Sequence, residues 1–265
     1  MKKILTLTLA LCMILALCAC GGAKEEAPAA EAAPADEVKT LIMGTNAAFP
    51  PYEYIGDDGE TIVGFEVDIL AYIADKLGMK LEIADMEFGS VLTSVQTGKV
   101  DIGVSGLTVT EERKQNVNFT ISYTTARQSI IVTDDSPITS VDDLFDVGGY
   151  TVGVQRNTTG DLYTTWDLED EGLATIDRYS KAAEAVQALK TGKVDCVVID
   201  DQPAKAFVAE VEGLKILETE YVEEMYAGAM SKDNTEMYEA VNNTLKELIA
   251  DGTVQSIIDK YISAD

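Results

Sequence analysis

The chain has 265 residues, 46 of them acidic and 20 basic, for a net charge of −26 with no histidine. That balance repels a phosphate backbone or an anionic lipid face, so no nucleic-acid partner is expected. The missing histidines remove histidine triads, histidine general bases and most zinc sites together, and neither a metal nor another cofactor is expected.

Residues 1–19 begin with Lys2 and Lys3 and run apolar from Ile4 to Ala19. This is too short and wrongly flanked for a membrane span and reads as a signal peptide for export. The two lysines are its only charges, so the remainder carries 18 basic and 46 acidic groups, or −28. Leu17-Cys18-Ala19-Cys20 followed by Gly21-Gly22 resembles a bacterial lipobox, which implies cleavage before Cys20 and a lipid on its thiol. Residues 20–37 are mostly Ala, Glu and Pro with little to bury, the composition of a disordered tether. Only Cys196 lies beyond this leader, inside an apolar run, so no disulfide framework is possible and it is expected in the core.

The folded part opens with a short strand, Leu41 to Gly44, leading to Phe49-Pro50-Pro51-Tyr52, where the prolines end regular structure. Phe49 is either core or a ring beside a ligand, and position leaves both open. Glu66 to Leu77 has an apolar face at Val67, Leu70, Ala71 and Ala74 with Gly78 as a stop, which predicts a helix. Lys80 to Ile83 alternates as a strand does. Ser90 is expected to cap a helix ending at Gly98, and Val100 to Val104 reads as a buried strand.

Ser105-Gly106-Leu107-Thr108-Val109-Thr110-Glu111-Glu112-Arg113 follows that strand. Ser105 and Thr108 offer hydroxyls, Gly106 admits close approach to the backbone, and Arg113 carries a planar fork matched to a carboxylate. The end of a strand is where ligands gather in open α/β sheets.

Val117 to Val132 is rich in β-formers, and its end looks like a segment crossing between lobes. A short capped helix is expected within residues 138–144 and a strand at Thr151 to Val154. Gln155-Arg156-Asn157-Thr158-Thr159-Gly160 then leads into a helix reaching about Glu171. A loop at a helix start presents free N–H groups, a natural seat for an anion, although no Walker pattern is present.

Thr97-Gly98-Lys99-Val100-Asp101 recurs as Thr191-Gly192-Lys193-Val194-Asp195. Each copy follows an amphipathic helix and leads into an apolar strand, so two similar lobes are expected. The second strand, Cys196 to Ile199, ends at Asp200-Asp201. Leu214 to Leu217 crosses back, Tyr226 to Met230 is read as one strand, and helices at residues 236–250 and 253–262 close the chain. An arginine with an N–H nest takes a carboxylate and an aspartate takes an ammonium; a molecule with both charges on one carbon is an α-amino acid.

At Phe49 to Tyr52, Gly64-Phe65-Glu66-Val67-Asp68, Ser105 to Arg113, Thr158 to Gly160 and Val194 to Asp200 the chain resembles extracellular solute-binding protein family 3, the polar amino-acid receptors of bacterial ABC importers. The resemblance implies an α/β, two-lobed periplasmic-binding-protein-like fold of type II, with two hinge strands and a ligand cleft between the lobes. By position it places Arg113 on the ligand α-carboxylate with Thr108 and the backbone at Thr159. It places Asp200 on the α-amino group, helped by acceptors at Ser105 or Gly106. Phe49 and Phe88 pack on the ligand, and Gln155 helps choose the side chain. Asn46 stands where an acid is common, which weakens the case for a strongly cationic ligand. Asn157 replaces a usual glycine, which is tolerable at positive φ.

The expected organisation is residues 1–19 signal, 20–37 tether, 38–132 with 221–265 as the first lobe and 133–220 as the second. The expected function is an extracytoplasmic, lipid-anchored, monomeric binding subunit, not an enzyme. It would deliver a free amino acid, neutral polar or weakly cationic, to a membrane ABC permease. The alternatives are a dehydratase-type enzyme on the same fold, or a sensor module for a membrane receptor.

Overall fold

The computed structural model describes residues 38–218 and 221–262. The signal peptide, the tether and Cys20 lie outside the described residues.

The chain enters on β1 (Thr40–Thr45) and forms a small sheet of β2 (Ala48–Phe49), β3 (Glu53–Ile55) and β4 (Ile62–Val63) before α1 (Phe65–Lys76). β5 (Lys80–Asp85), α2 (Phe88–Gln96), β6 (Ile102–Gly103), the single turn α3 (Glu111–Lys114) and β7 (Asn118–Phe119) follow. The long β8 (Thr124–Thr133) carries the chain into a second set of elements. These are α4 (Asp142–Asp146), β9 (Tyr150–Gln155), α5 (Thr159–Thr164) with a π-helical extension at Thr165–Glu169, and β10 (Ala174–Tyr179). Then come α6 (Ala182–Lys190), β11 (Cys196–Asp200), α7 (Asp201–Glu210) and β12 (Leu214–Ile216). β13 (Val222–Tyr226) runs back beside β8, and β14 (Ala229–Met230), α8 (Thr235–Ala250) and α9 (Thr253–Ile258) complete the fold.

Among the described residues the first sheet has the order β5-β1-β6-β14-β7 and the second β10-β9-β11-β8-β12, with β13 also on β8. The parallel part of each is a strand–helix–strand–helix–strand unit whose first strand lies between the other two. β1 sits between β5 and β6, and β9 between β10 and β11. That order makes a switch point between the first and third strands of each unit, and the carboxyl ends there open a crevice for ligand. Asn46 and Ser105 follow the two strand ends of one unit, while Gln155 and Asp200 terminate those of the other.

The helices form where an apolar stripe meets a sheet. On α1 the buried Phe65, Ile69, Leu70, Ile73 and Ala74 share one face and join Leu41 and Met43 of β1 in a core. Ile130, Val152, Val154, Cys196 and Val198 do the same for the second sheet, with Cys196 fully buried in β11 as expected. The repeated pentapeptide builds the same corner twice. Gly98 (φ 69°) and Gly192 (φ 70°) stop the preceding helices in the left-handed region. Asp101 Oδ2 then accepts the Ile42 N–H of β1 at 2.8 Å, and Asp195 Oδ2 accepts the Thr151 N–H of β9 at 2.7 Å.

Three local expectations are corrected. Ser90 lies inside α2, which begins a turn earlier because Phe88 extends the stripe of Val91 and Val95; Glu87 is the cap. Tyr226 to Met230 is not one strand: the chain changes sheets there, β13 ending at Tyr226 and β14 starting at Ala229. The helix expected to reach Glu171 holds α-geometry only to Thr164 and continues as a π-helix to Glu169.

Candidate functional site

The two crevices face one another across a small cavity. One lobe lines it with Asn46, Phe49, Phe88, Ser105 and Gly106, and the other with Gln155, Thr159 and Asp200. Eight of the ten residues singled out in the sequence therefore meet in one place. Thr108 and Arg113 lie immediately behind the wall rather than on it.

Arg113 is held by the start of α3, where the Thr110 hydroxyl caps the turn by accepting the Arg113 N–H at 3.1 Å. Its guanidinium reaches across the cleft. Nη1 donates to the Thr108 carbonyl at 2.9 Å, Nη2 donates to the Asn157 carbonyl of the other lobe at 3.2 Å, and Cζ stands 5.7 Å from the Phe88 ring centre. Burial works against the charge and lowers its pKa, while nearby Glu224 supports it. Asn157 presents its carbonyl from a positive φ of 67°, the conformation its place in the sequence anticipated. Beside it the Thr108 and Thr159 hydroxyls are 3.2 Å apart across the cleft.

Asp200 occupies the last position of β11, and Asp201 already starts α7. Its carboxyl is buried and accepts a hydrogen bond from the Tyr226 hydroxyl. Burial, and then the charge of Glu224, push its pKa up to about 8. Another part of the cavity wall is an amide pair: Gln155 Nε2 donates to Asn46 Oδ1 at 3.0 Å, and Asn46 Nδ2 donates to the Met86 carbonyl at 2.8 Å.

Gly106 adopts φ 53°, and a Cβ there would come within 2.9 Å of the Phe49 ring. A side chain at 106 would both strain the turn and close the cavity.

The sequence reading missed Glu53, which lines the cavity from β3, and Gln128 and Glu224, paired at 2.9 Å between β8 and β13. A signal for Glu53 was present: a lone acid between Tyr52 and Tyr54 in an otherwise apolar and aromatic run. Nothing local marked Gln128 or Glu224, which meet 96 residues apart. Among the described residues no group of three His, Cys, Asp or Glu is placed to hold a metal ion, and no helix is long and apolar enough to cross a membrane.

Two α/β lobes joined by paired crossing strands, closed over a small polar cavity, define a solute receptor of the type II binding-protein fold. The chain belongs to the bacterial extracellular solute-binding proteins, family 3, whose model matches residues 41–264. It is 33% identical over its full length, and the full length of the relative, to the arginine-binding extracellular protein ArtP of Bacillus subtilis (strain 168). Among solved structures it is similar to the substrate-binding protein of an amino acid ABC transporter, with a TM-score of 0.78 and 35% identity over 85% of this chain and 100% of that one. It is equally similar to an ancestral arginine-binding protein bound to glutamine, with a TM-score of 0.78 and 37% identity over 86% of this chain and 100% of that one.

Proposed function

We propose that this protein captures a free α-amino acid outside the cytoplasmic membrane and presents it, chemically unchanged, to an ABC permease. The observation that carries this reading is the polarity of the cleft: a buried guanidinium just behind one wall, a buried carboxyl on the opposite wall, and a small cavity lined from both lobes. In this reading the ligand carboxylate takes Arg113, Thr108 and the Thr159 N–H. Its ammonium takes Asp200, and its side chain lies between Phe49 and Phe88 toward Asn46 and Gln155. The lining includes two acids, Glu53 and Asp200, and no basic residue. An aspartate or glutamate ligand would therefore bury its second charge beside acids, whereas neutral polar and cationic side chains meet acceptors and rings. Similarity to both an arginine-binding relative and a glutamine-bound structure supports that range.

Capture brings together residues 38–132 with 221–265 and residues 133–220, and the chain acts as a monomer tethered through a lipid on Cys20. A Cys20→Ala variant is expected in the soluble fraction.

A thermal-shift screen against the twenty amino acids, ornithine and cystine tests the ligand class. A bound ligand at 100- to 1,000-fold excess over Kd stabilises the native state by roughly 3–4 kcal/mol. Aspartate or glutamate as the strongest stabiliser overturns the specificity reading. Chemical turnover of the bound ligand overturns the non-catalytic one.

A further inference from the structure

At the cavity wall two glutamates are fully buried, Glu53 on β3, which lines the cavity, and Glu66 behind it in the first turn of α1. Glu53 Oε1 accepts from the Ser105 hydroxyl at 2.9 Å. Glu66 Oε1 accepts from the Tyr123 hydroxyl at 2.5 Å, and the Gly106 N–H reaches the two Glu66 oxygens at 3.2 and 3.0 Å. Glu53 Oε2 has no hydrogen-bond partner among the described residues, and the charge of Glu66 is felt directly at the Glu53 carboxyl. Two carboxyls buried against neighbouring residues of one turn with no cation beside them do not both ionise, so one of them holds a proton.

The titratable groups facing the pair are Tyr52 ahead of β3, Tyr123 ahead of β8, and Asp200 at the end of β11. Tyr226 of β13 packs on Tyr52. None of these is a cation, and no ion pair reaches either glutamate among the described residues.

We propose that Glu53 and Glu66 form a proton-sharing acid pair that positions the Ser105–Gly106 turn against the ligand, so that Glu53 is a positioning residue of the binding site. Glu53 is the acid and Glu66 the carboxylate, which collects three donors: the Glu53 hydroxyl, the Tyr123 hydroxyl and the Gly106 N–H. Through Ser105 the same chain of bonds reaches the Asn46 N–H, 3.0 Å from the serine oxygen. One shared proton thus ties together the ends of β1 and β6. Desolvation is the leading cause that raises both carboxyls. The folded site keeps the proton above the ordinary carboxylate range and gives it up only as pH rises through the raised value. Losing it leaves two charges in a dry site, which drives the turn from its place. The argument for a ligand at this turn rests on the amino-acid reading above; the shared proton does not.

Calorimetry with L-arginine and L-glutamine as probes, on wild type, Glu53→Ala and Glu53→Gln, tests the positioning role. Glu53→Ala is expected to weaken binding by about tenfold or more, since it strips the Glu66 carboxylate of a donor. Glu53→Gln accepts from Ser105 and donates to Glu66, so it recovers most of that loss. Its affinity relative to wild type improves as the buffer is taken from about pH 7 to about pH 9, a comparison in which ligand titration cancels. Failure of glutamine to rescue, or a ratio independent of pH, overturns the proposal. A ligand-free arm reads the proton directly, by carboxyl carbon NMR on protein labelled at the glutamate carboxyls. A glutamate signal still protonated at about pH 7 in wild type and absent from Glu53→Gln is expected. All glutamates ionised at that pH overturns it. Should wild type bind neither probe, the amino-acid reading fails for them while the NMR arm still decides the acid pair.

Discussion

The two lobes carry one structural sentence with two endings. Each has a central strand flanked by two parallel neighbours, a helix ending at a left-handed glycine, and an aspartate tying the corner to the central strand. At the strand ends the sameness stops. The ends of the central strands carry Asn46 and Gln155, which bond to each other across the cleft. Those of the third strands carry Ser105, neutral and tied to Glu53, and Asp200, buried with no ion pair among the described residues. The repeated residues build the corners, and the unmatched ones at the same topological positions line the cavity. A predominantly neutral lobe end with Arg113 behind it faces an acidic one, which is the asymmetry a zwitterion requires.

Removing that asymmetry is expected to have the largest effect. Arg113→Ala and Asp200→Asn each leave one ligand charge desolvated and unpaired, which typically costs ~2–5 kcal/mol, or roughly 30- to several-thousand-fold in affinity by calorimetry. Arg113→Lys should lose much of the same energy, because an ammonium cannot replace the planar fork.

Next in size is a pH effect confined to the acidic end. Without ligand Asp200 titrates at about 8, well above an unfolded aspartate at about 3.8. Its contribution to stability is therefore complete below about pH 4 and is lost as pH rises through about 8. An ammonium beside it draws the proton off, so amino-acid binding near pH 7 is expected to release protons and to tighten toward pH 8. Calorimetry in buffers of different ionisation enthalpy measures this, and Asp200→Asn should abolish the Asp200 part of the release. In the absence of ligand that variant should also be the more stable protein at about pH 8, by up to several kcal/mol, in a chemical denaturation series.

A smaller effect sharpens the comparison of the corners. Asp101 and Asp195 make equivalent bonds, but Asp101 is half-buried and Asp195 exposed. Alanine at 101 should cost about 1 kcal/mol of stability and at 195 less, with ligand affinity unchanged in both. The smallest effect belongs to Asp201. It starts α7 beside Lys205, and Asp201→Asn should alter affinity by less than about twofold.

Much of this was legible because it is local. The repeated Thr-Gly-Lys-Val-Asp, the glycine stops and the apolar stripes placed both lobes. The hydroxyl-rich turn and Asp200 at strand ends pointed to the cleft. What escaped depends on partners distant in sequence. Glu53 and Glu66 read as ordinary acids until burial removes their solvent, and Gln128 meets Glu224 only when the crossing strands pair. The split between β13 and β14 was hidden for a related reason, since residues 226–230 are buried throughout and read as one continuous apolar run.

The central claim is that Asp200 holds the ammonium and Arg113 the carboxylate of one ligand. The most direct test is a calorimetric cycle with the tightest-binding amino acid and its α-N-acetyl derivative, on wild type and Asp200→Asn. The account predicts that acetylation and the mutation each weaken binding strongly, and that the two together cost little more than either alone, since both delete one interaction. Losses that simply add would show that Asp200 and the α-amino group do not meet, and would contradict the account.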